Sequence, residues 1–203
     1  MTVIGLTGPS GAGKGAVAQI MSQYGIKHID ADAVYHNILI PPSECLDELV
    51  EYFGYGILNA GGMLDRKALA GMVFGDENRE KLEALNKITH KYVCARIRQI
   101  VRHFENSGEL ACVIDAPLLF EAGVERDCNI TVAVLANRGV RAERIAARDD
   151  MTISAAEIRI NSQKSDDFYR EKADVCIYND SDKDHLKKTV IEFLEQNGLG
   201  GLV

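Results

Sequence analysis

The segment at residues 8–14, GPSGAGK, constrains the fold of this chain more than any other stretch. It matches the pattern GxxxxGK, in which glycines let the backbone curl so that successive N–H groups face phosphate oxygens and the lysine reaches the outer phosphates. The apolar run before it, residues 2–7, predicts a buried strand, and the apolar spacing of residues 14–24 predicts a helix that adds its positive dipole end. A match of this kind is expected by chance on the order of 0.1 times or less in such a chain. The sequence therefore predicts a phosphate-binding loop, formed by Gly8, Ser10, Gly11, Ala12, Gly13, Lys14, Gly15 and Ala16.

One position of this loop departs from the usual pattern. Gly15 follows the lysine where Ser or Thr is usual, and Ala16 comes next. The hydroxyl that normally binds Mg²⁺ is therefore missing. A magnesium ion here would be held by phosphates and water, with Ser10, Asp32 or Asp115 as candidate protein ligands.

Short apolar runs recur along the chain. Residues 27–30 are a second short strand candidate. The stretches 110–114, 130–135 and 173–178 also predict strands, and each is apolar for most of its length, as is typical of parallel strands that are covered on both faces. Residues 33–108 carry mostly helical patterns, including a helix over about 78–103. This segment is too long for an ordinary crossover, so we interpret it as a helical insertion into an α/β core.

These patterns divide the chain into segments. The predicted core comprises residues 1–32, 109–137 and 173–197, with the insertion at about 33–108. Residues 138–172 form a predicted lid, made of an arginine-rich helix at 138–148 and a charged helix at about 154–165. A final amphipathic helix is predicted at 181–196, and residues 198–203 read as a loose tail.

Carboxylates follow two of the predicted strands. Asp30 and Asp32 close the second strand and Asp115 closes the third, at the strand ends that face the ligand crevice of a parallel sheet. We expect Asp32 to accept a proton from an attacking hydroxyl. Asp30 is either a partner in that work or the N-cap of the next helix. Asp115 is either a ligand near Mg²⁺ or an ordinary turn residue.

Four arginines lie at helical spacing in the predicted lid: Arg138, Arg141, Arg144 and Arg148. They form either a solvated helix face with ion pairs to Asp149 or Asp150, or a set of guanidinium groups that neutralise a transferred phosphoryl group. In the second interpretation Arg144 and Arg148 contact the phosphoryl group, and the other two are peripheral.

Composition excludes several classes of function. The net charge is -7 and no broad basic surface is apparent, which argues against a nucleic-acid partner. Five cysteines without a CxxC pair indicate reduced thiols rather than disulfides or zinc, and the histidines lack metal-ligand spacing. No apolar run is long enough for a signal peptide or a membrane span, so we expect a cytoplasmic protein with small-molecule partners, as a monomer or a small homo-oligomer.

Over nearly its whole length the chain resembles the dephospho-CoA kinase family. The residues that carry the resemblance are the phosphate loop with residues 29–32 (IDAD), Leu64-Asp65-Arg66, residues 85–90 (LNKITH), residues 117–121 (PLLFE), Arg144, Arg148-Asp149, Arg159, Gln163 and residues 173–179.

The resemblance implies a P-loop NTPase fold, three-layer α/β/α with a five-stranded parallel sheet, a helical CoA-binding insertion and a helical lid. It also implies phosphorylation of the ribose 3′-hydroxyl of dephospho-CoA by ATP with Mg²⁺. By this resemblance Asp32 is the general base, and Lys14, Arg144 and Arg148 are the other catalytic residues. The substrate side comprises Arg66, His90, Leu118 and Glu121, and Asn179 lies near the adenine.

Three positions depart from the family pattern: Gly15-Ala16, Lys91 after His90, and Ser10. Two other functions stay open. The loop GPSGAGKG alone would suit a nucleoside monophosphate kinase of the cytidylate or adenylate type. The missing hydroxyl would suit a slow ATP-binding switch protein.

Overall fold

Five strands form one parallel sheet. They are β1 (Thr2–Thr7), β2 (Lys27–Asp30), β3 (Ala111–Asp115), β4 (Ile130–Leu135) and β5 (Val175–Tyr178), in the order β2-β3-β1-β4-β5. The predicted five-stranded parallel sheet is therefore confirmed, with boundaries within two residues of those expected from the sequence.

The structure, a computed structural model, describes residues 1–75 and 78–201. Asp76 and Glu77, in the predicted insertion, and Leu202 and Val203, in the predicted tail, lie outside the described residues. The chain folds as two units, of which the second is Asp30–Ile100 and the first comprises Met1–Ile29 and the described residues from Val101 onward. The roles expected of the insertion and the lid stay predictions.

Nine α-helices are found in the described residues. They are α1 (Lys14–Gln23), α2 (Ala31–Asn37), α3 (Glu44–Phe53), α4 (Arg66–Val73), α5 (Arg79–Asn106), α6 (Arg138–Asp149), α7 (Ile153–Asn161), α8 (Asp166–Lys172) and α9 (Lys183–Gln196). Short 3₁₀ turns at Tyr55–Ile57 and Val124–Asp127 complete the regular structure. None of the helices in residues 1–75 and 78–201 combines the length and apolar character needed to cross a membrane.

Strand β4 shows how the sheet is covered on both faces. Val132 and Val134 pack into a core with residues of α1 and α9, among them Val17 and Val190. The alternate residues Ala133 and Leu135 pack with Tyr169 of α8. Because successive side chains of a strand point to opposite faces, one helical layer lies on each side of the sheet, as its continuous apolar strands predict.

The second unit has its own core. Buried side chains of α3, α4 and α5 meet there, including Leu49, Leu69 and Ile88. Helices α2, α3 and α4 each begin at a polar N-cap residue, whose side chain accepts one or two backbone N–H groups of the first turn. These N-cap residues are Asp30, Ser43 and Asp65.

Two expectations for the lid and the tail are wrong. The charged helix expected at about 154–165 ends earlier, at Asn161, as α7. A separate helix that was not predicted, α8, follows it, and Ser165 caps α8 by accepting the N–H of Phe168. The tail is not loose at Leu199, which is 5% exposed and packs into the core of the first unit. Burial of this apolar side chain offsets part of the conformational entropy that the tail loses when it is ordered.

Candidate active site

The phosphate loop, residues 8–15, has a backbone that strongly favours glycine at three positions. Gly8, Gly11 and Gly13 have φ values of 139°, 79° and 99°. A Cβ atom on Gly8 would lie 2.2 Å from the carbonyl oxygen of Val134, and one on Gly13 would lie 2.2 Å from Asn179 Nδ2. The neighbouring structure therefore presses directly on this loop, and a side chain at either position would displace it.

Most backbone amides of the loop remain available to a ligand. The N–H of Ala12 donates to Pro9 O at 3.2 Å. Within residues 1–75 and 78–201, however, no acceptor lies within hydrogen-bond reach of the N–H groups of Gly11, Gly13, Lys14 and Gly15. Four free amides at a helix N-terminus are the arrangement that binds an anion.

The amide of Ser10 differs from these four. It donates to Gln163 Oε1 at 3.1 Å, and the Ser10 hydroxyl lies 3.4 Å from Arg148 Nη2. The Ser10 N–H is therefore paired with a side chain of its own unit, and the contact of Ser10 with a nucleotide stays a prediction.

Side chains hold the carbonyl groups of the loop. Arg141 Nε donates to Ser10 O at 3.0 Å, and Asn179 Nδ2 donates to Ala12 O at 2.8 Å. Arg144 Nη1 makes longer contacts, of 3.4 Å to Gly11 O and 3.5 Å to Ala12 O. The buried Asn179 thus contacts the loop itself, a contact that its position in the sequence did not predict.

Lys14 and Asp115 lie side by side in the first unit. Strand β1 pairs with β3 so that Leu6 is opposite Asp115, which places this carboxylate next to the start of the loop. Lys14 Nζ lies 3.7 Å from Asp115 Oδ1, and His28 Nε2 lies 3.9 Å from Oδ2. The predicted proximity of Asp115 to the phosphate loop is therefore present, and both side chains of the Lys14–Asp115 pair are less than one-fifth exposed.

The side chains near the loop fit a magnesium ion that is bound mostly by the phosphates of a nucleotide and by water. Residues 1–75 and 78–201 contain no group of three or more His, Cys, Asp or Glu residues placed to hold a metal. Mg²⁺ commonly binds through one carboxylate, substrate phosphates and several waters, and Asp115 can supply that carboxylate. At Gly15 a Cβ atom would meet nothing within 4 Å, so the position lacks a hydroxyl but has room for one.

The lid arginines have different partners. Arg148 pairs with Asp149 through two contacts of 2.7 and 2.8 Å, and Arg159 reaches the same carboxylate at 2.6 Å. These two guanidinium groups lower the pKa of Asp149, with the hydrogen bond from Arg148 as the largest cause. For Arg148, the structure has the local ion pair that was one of the two interpretations of this helix.

Arg141 is not peripheral. It is 3% exposed and contacts Asp166 Oδ1 at 3.1 Å and Gln163 Oε1 at 3.0 Å, besides Ser10 O. The exposed Arg138, in contrast, donates to Asn161 Oδ1 at 2.7 Å. Helical spacing could not separate these two arginines, because the partners of Arg141 come from the segment after α7.

Asp30, Asp32, Arg66 and His90 belong to the second unit. Asp30 is the N-cap of α2 and accepts the N–H groups of Asp32 and Ala33 at 2.9 and 3.0 Å, which is the structural role left open for it. Asp32 is exposed in the first turn of α2. Arg66 Nη1 lies 3.1 Å from His36 Nε2, and His90 is partly buried on α5.

Leu118 and Glu121 follow β3 in the first unit. Leu118 is 50% exposed and Glu121 is also exposed, whereas Leu119 between them is fully buried. Exposed apolar and acidic side chains on one turn are available to a ligand.

A model of the dephospho-CoA kinase family matches residues 2–185 of the chain. The chain belongs to the dephospho-CoA kinase family. Among its relatives, the dephospho-CoA kinase of Listeria monocytogenes is 36% identical over 95% of this chain and 96% of its own length. The dephospho-CoA kinase of Fusobacterium nucleatum is 37% identical over 95% of this chain and 97% of its own length. The predicted family is thus confirmed.

Comparison with solved structures shows the same fold. The protein TT1252 from Thermus thermophilus is 28% identical and superposes with a TM-score of 0.77 over 96% of this chain and 97% of its own. The dephospho-CoA kinase from Campylobacter jejuni, at 24% identity, has a TM-score of 0.71 over 98% of both chains. A shikimate kinase from Acinetobacter baumannii, at 15% identity and a TM-score of 0.54 over 97% of this chain and 94% of its own, shares the fold. The predicted P-loop kinase fold is confirmed.

Proposed function

We propose that this chain transfers the γ-phosphoryl group of ATP to the ribose 3′-hydroxyl of dephospho-CoA, giving CoA and ADP. Membership of the dephospho-CoA kinase family supports the reaction. The observation that carries the ATP site is the set of four free amides, from Gly11, Gly13, Lys14 and Gly15, beside the Lys14 ammonium. Phosphoryl transfer depends mostly on positioning and on stabilising charge, and this loop supplies both.

The first unit provides the charges that bind the triphosphate. The N-terminus of α1 directs its positive dipole end at the loop, and Lys14 adds a full positive charge. Arg144, next to the carbonyls of Gly11 and Ala12, adds a guanidinium group that neutralises charge on the transferred phosphoryl group. Arg148 is proposed for the same task.

Mg²⁺ is proposed as the metal, and when bound it neutralises charge on the phosphates. Asp115 would hold it through its carboxylate, and the Ser10 hydroxyl is the other candidate ligand. Lys14, which pairs with Asp115, keeps that carboxylate at the edge of the loop.

Asp32 is proposed as the general base for the 3′-hydroxyl of the acceptor. Its exposed carboxylate, in the first turn of α2, is accessible to an acceptor hydroxyl. Arg66, His90, Leu118 and Glu121 are proposed to bind dephospho-CoA, with Arg66 suited to its phosphates. Asn179 is proposed to lie near the adenine of ATP.

The function is tested by measuring ADP release with dephospho-CoA and, separately, with CMP, UMP and AMP as acceptors. We expect turnover with dephospho-CoA alone. ADP release with CMP but none with dephospho-CoA would overturn the proposal in favour of a nucleoside monophosphate kinase. ATP binding without turnover of any acceptor would instead indicate the switch protein.

Asp32→Asn tests the general base. We expect nucleotide affinity to stay nearly unchanged and the rate of transfer to fall on the order of 10²-fold or more. Asp47→Asn is the matched control, because Asp47 is also an exposed carboxylate in a helix first turn, so both variants lose the same favourable contact with a helix dipole. Equal rates in the two variants would rule out Asp32 as the base.

A further inference from the structure

The peptide groups of the phosphate loop are held from one side by two side chains that are themselves buried. Arg141 donates to Ser10 O at 3.0 Å and Asn179 donates to Ala12 O at 2.8 Å. Arg141 is 3% exposed and Asn179 is 7% exposed. Neither side chain has the exposure needed to contact a nucleotide over a substantial surface, so their effect on a ligand passes through the loop.

Planarity of the peptide bond determines what these contacts do. In a trans peptide the C=O of one residue and the N–H of the next share a plane and point in opposite directions. Holding Ser10 O toward Arg141 therefore turns the Gly11 N–H away from Arg141. Holding Ala12 O toward Asn179 turns the Gly13 N–H away from Asn179 in the same manner. Gly11 and Gly13 contribute two of the four amides that lack an acceptor within the described ranges 1–75 and 78–201.

The Arg141 guanidinium is itself held in place by two side chains, those of Asp166 and Gln163. Nη1 contacts Asp166 Oδ1 at 3.1 Å and Nη2 donates to Gln163 Oε1 at 3.0 Å, so each of its three nitrogens has a partner. Gln163 Oε1 also accepts the N–H of Ser10. Both the N–H and the C=O of Ser10 are therefore held by side chains. The segment between α7 and α8 thereby determines the orientation of the Ser10–Gly11 peptide.

We propose that Arg141 and Asn179 are positioning residues that direct the Gly11 and Gly13 amides toward the phosphates of the bound nucleotide. This inference rests on the proposed function, because it requires a nucleotide to occupy the loop. It goes further by assigning the preorganisation of the loop to two side chains outside it. Without them each peptide can rotate, and the phosphate has to meet an amide that is not yet oriented.

The test measures the dissociation constants of ADP and of inorganic tripolyphosphate by calorimetry, for the wild type and for Arg141→Met and Asn179→Leu. Tripolyphosphate carries no adenosine, so it reports the phosphate contacts alone. Each variant loses the orientation of one amide, and we expect both ligands to bind about tenfold more weakly, as for one hydrogen bond to a charged group. The KM for dephospho-CoA should stay unchanged.

Two further variants separate positioning from general disturbance. Arg138→Met removes an exposed arginine from the same helix and should leave both dissociation constants at their wild-type values. Arg141→Lys keeps a positive charge and one donor nitrogen in the buried site, and it should bind phosphates more tightly than Arg141→Met.

The outcomes are distinct. Wild-type tripolyphosphate affinity in folded Arg141→Met and Asn179→Leu would overturn the inference. If Arg141→Met does not fold, the tripolyphosphate affinities of Asn179→Leu and Arg141→Lys test the inference instead, since Leu is close to Asn in shape and Lys preserves the charge. Wild-type affinity in both would overturn the inference. A wild-type protein that binds neither ADP nor tripolyphosphate would overturn the proposed function itself, which is a different result from a loss confined to the variants.

Discussion

Two glycine-rich loops of this chain look alike in sequence and are built differently. In the phosphate loop, a Cβ atom on Gly8 or Gly13 would lie 2.2 Å from an atom of a distant segment. In the loop at residues 54–62 of the second unit, a Cβ atom on Gly54 or Gly62 would meet nothing within 4 Å. The first loop is shaped by contacts with the rest of its unit, whereas the second is shaped by its own backbone.

Local hydrogen bonds hold the second loop. Asn59 Oδ1 accepts the N–H groups of Gly61 and Met63 at 2.9 and 3.1 Å, and the Gly62 N–H donates to Asn59 O at 3.0 Å. Asn59 thus fixes the backbone of the second loop through hydrogen bonds within five residues. The backbone of the phosphate loop is instead fixed by hydrogen bonds with Arg141, Gln163 and Asn179, which are distant in the sequence. A loop that has to present free amides cannot use them for its own stability, and so its support comes from elsewhere.

The largest expected difference between the loops is steric. Gly8→Ala should lower the free energy of unfolding by more than about 3 kcal/mol, because the methyl group displaces the backbone at Val134. Gly62→Ala should lower it by only about 1 kcal/mol, the strain of a positive φ at an open position. Urea unfolding of both variants measures this, and equal losses would contradict the comparison.

The next expected difference is that only the phosphate loop carries a side chain needed for phosphoryl transfer. Lys14→Ala should reduce kcat/KM on the order of 10²-fold, since a charge that stabilises the transferred phosphoryl group is removed. Its melting temperature should also fall, because the Asp115 carboxylate is only 16% exposed and loses its neighbouring positive charge. Steady-state kinetics and thermal unfolding on the same samples test this, and unaltered activity would refute the assignment of the loop to ATP.

Asn59→Ala provides the complementary result. It removes two local hydrogen bonds and should lower the free energy of unfolding by about 1 kcal/mol. The KM for ATP should not change, so a raised KM in a variant that remains folded would show that the second loop also serves the nucleotide.

Gly15 is the exception within the phosphate loop, and the smallest effect is expected there. Gly15→Ala and Gly15→Ser should each stabilise the protein by about 0.5 kcal/mol, because glycine weakens a helix and the added Cβ meets nothing within 4 Å. Gly15→Ser alone adds a hydroxyl, so it should lower the Mg²⁺ concentration that gives half-maximal rate, with Gly15→Ala as its matched control. The same Mg²⁺ requirement in both variants would show that position 15 does not face the metal.

The sequence predicted the sheet well because four of the five strands are mostly apolar runs, whereas the short β2, Lys27–Asp30, has a single apolar residue. All five strands were located, as were α1 and the loop between β1 and α1, since a match to GxxxxGK in that context has few other interpretations. The short helix α8 was missed, because the helix expected at about 154–165 was extended past the end of α7 at Asn161 and the residues after Ser165 were given no helix of their own.

The side chains that support the loop could not be predicted from local pattern. Arg141 and Arg138 occupy similar positions on α6, and only the fold shows that one is buried against Gln163 and Asp166. Asn179 was identified through the family resemblance, with a role near the adenine, and its contact with Ala12 O depends on how β5 ends beside the loop. Contacts between residues more than one hundred positions apart leave no periodic trace in the sequence.

The Asp149 carboxylate, held between Arg148 and Arg159, has a consequence for turnover. In the proposed function Arg148 binds a phosphoryl group while Asp149 competes for its Nε and Nη2, so the net gain is the difference between two strong pairs rather than the full strength of either. Asp149 would pair fully with Arg148 again once the product leaves. A reversible contact of this kind would not slow product release.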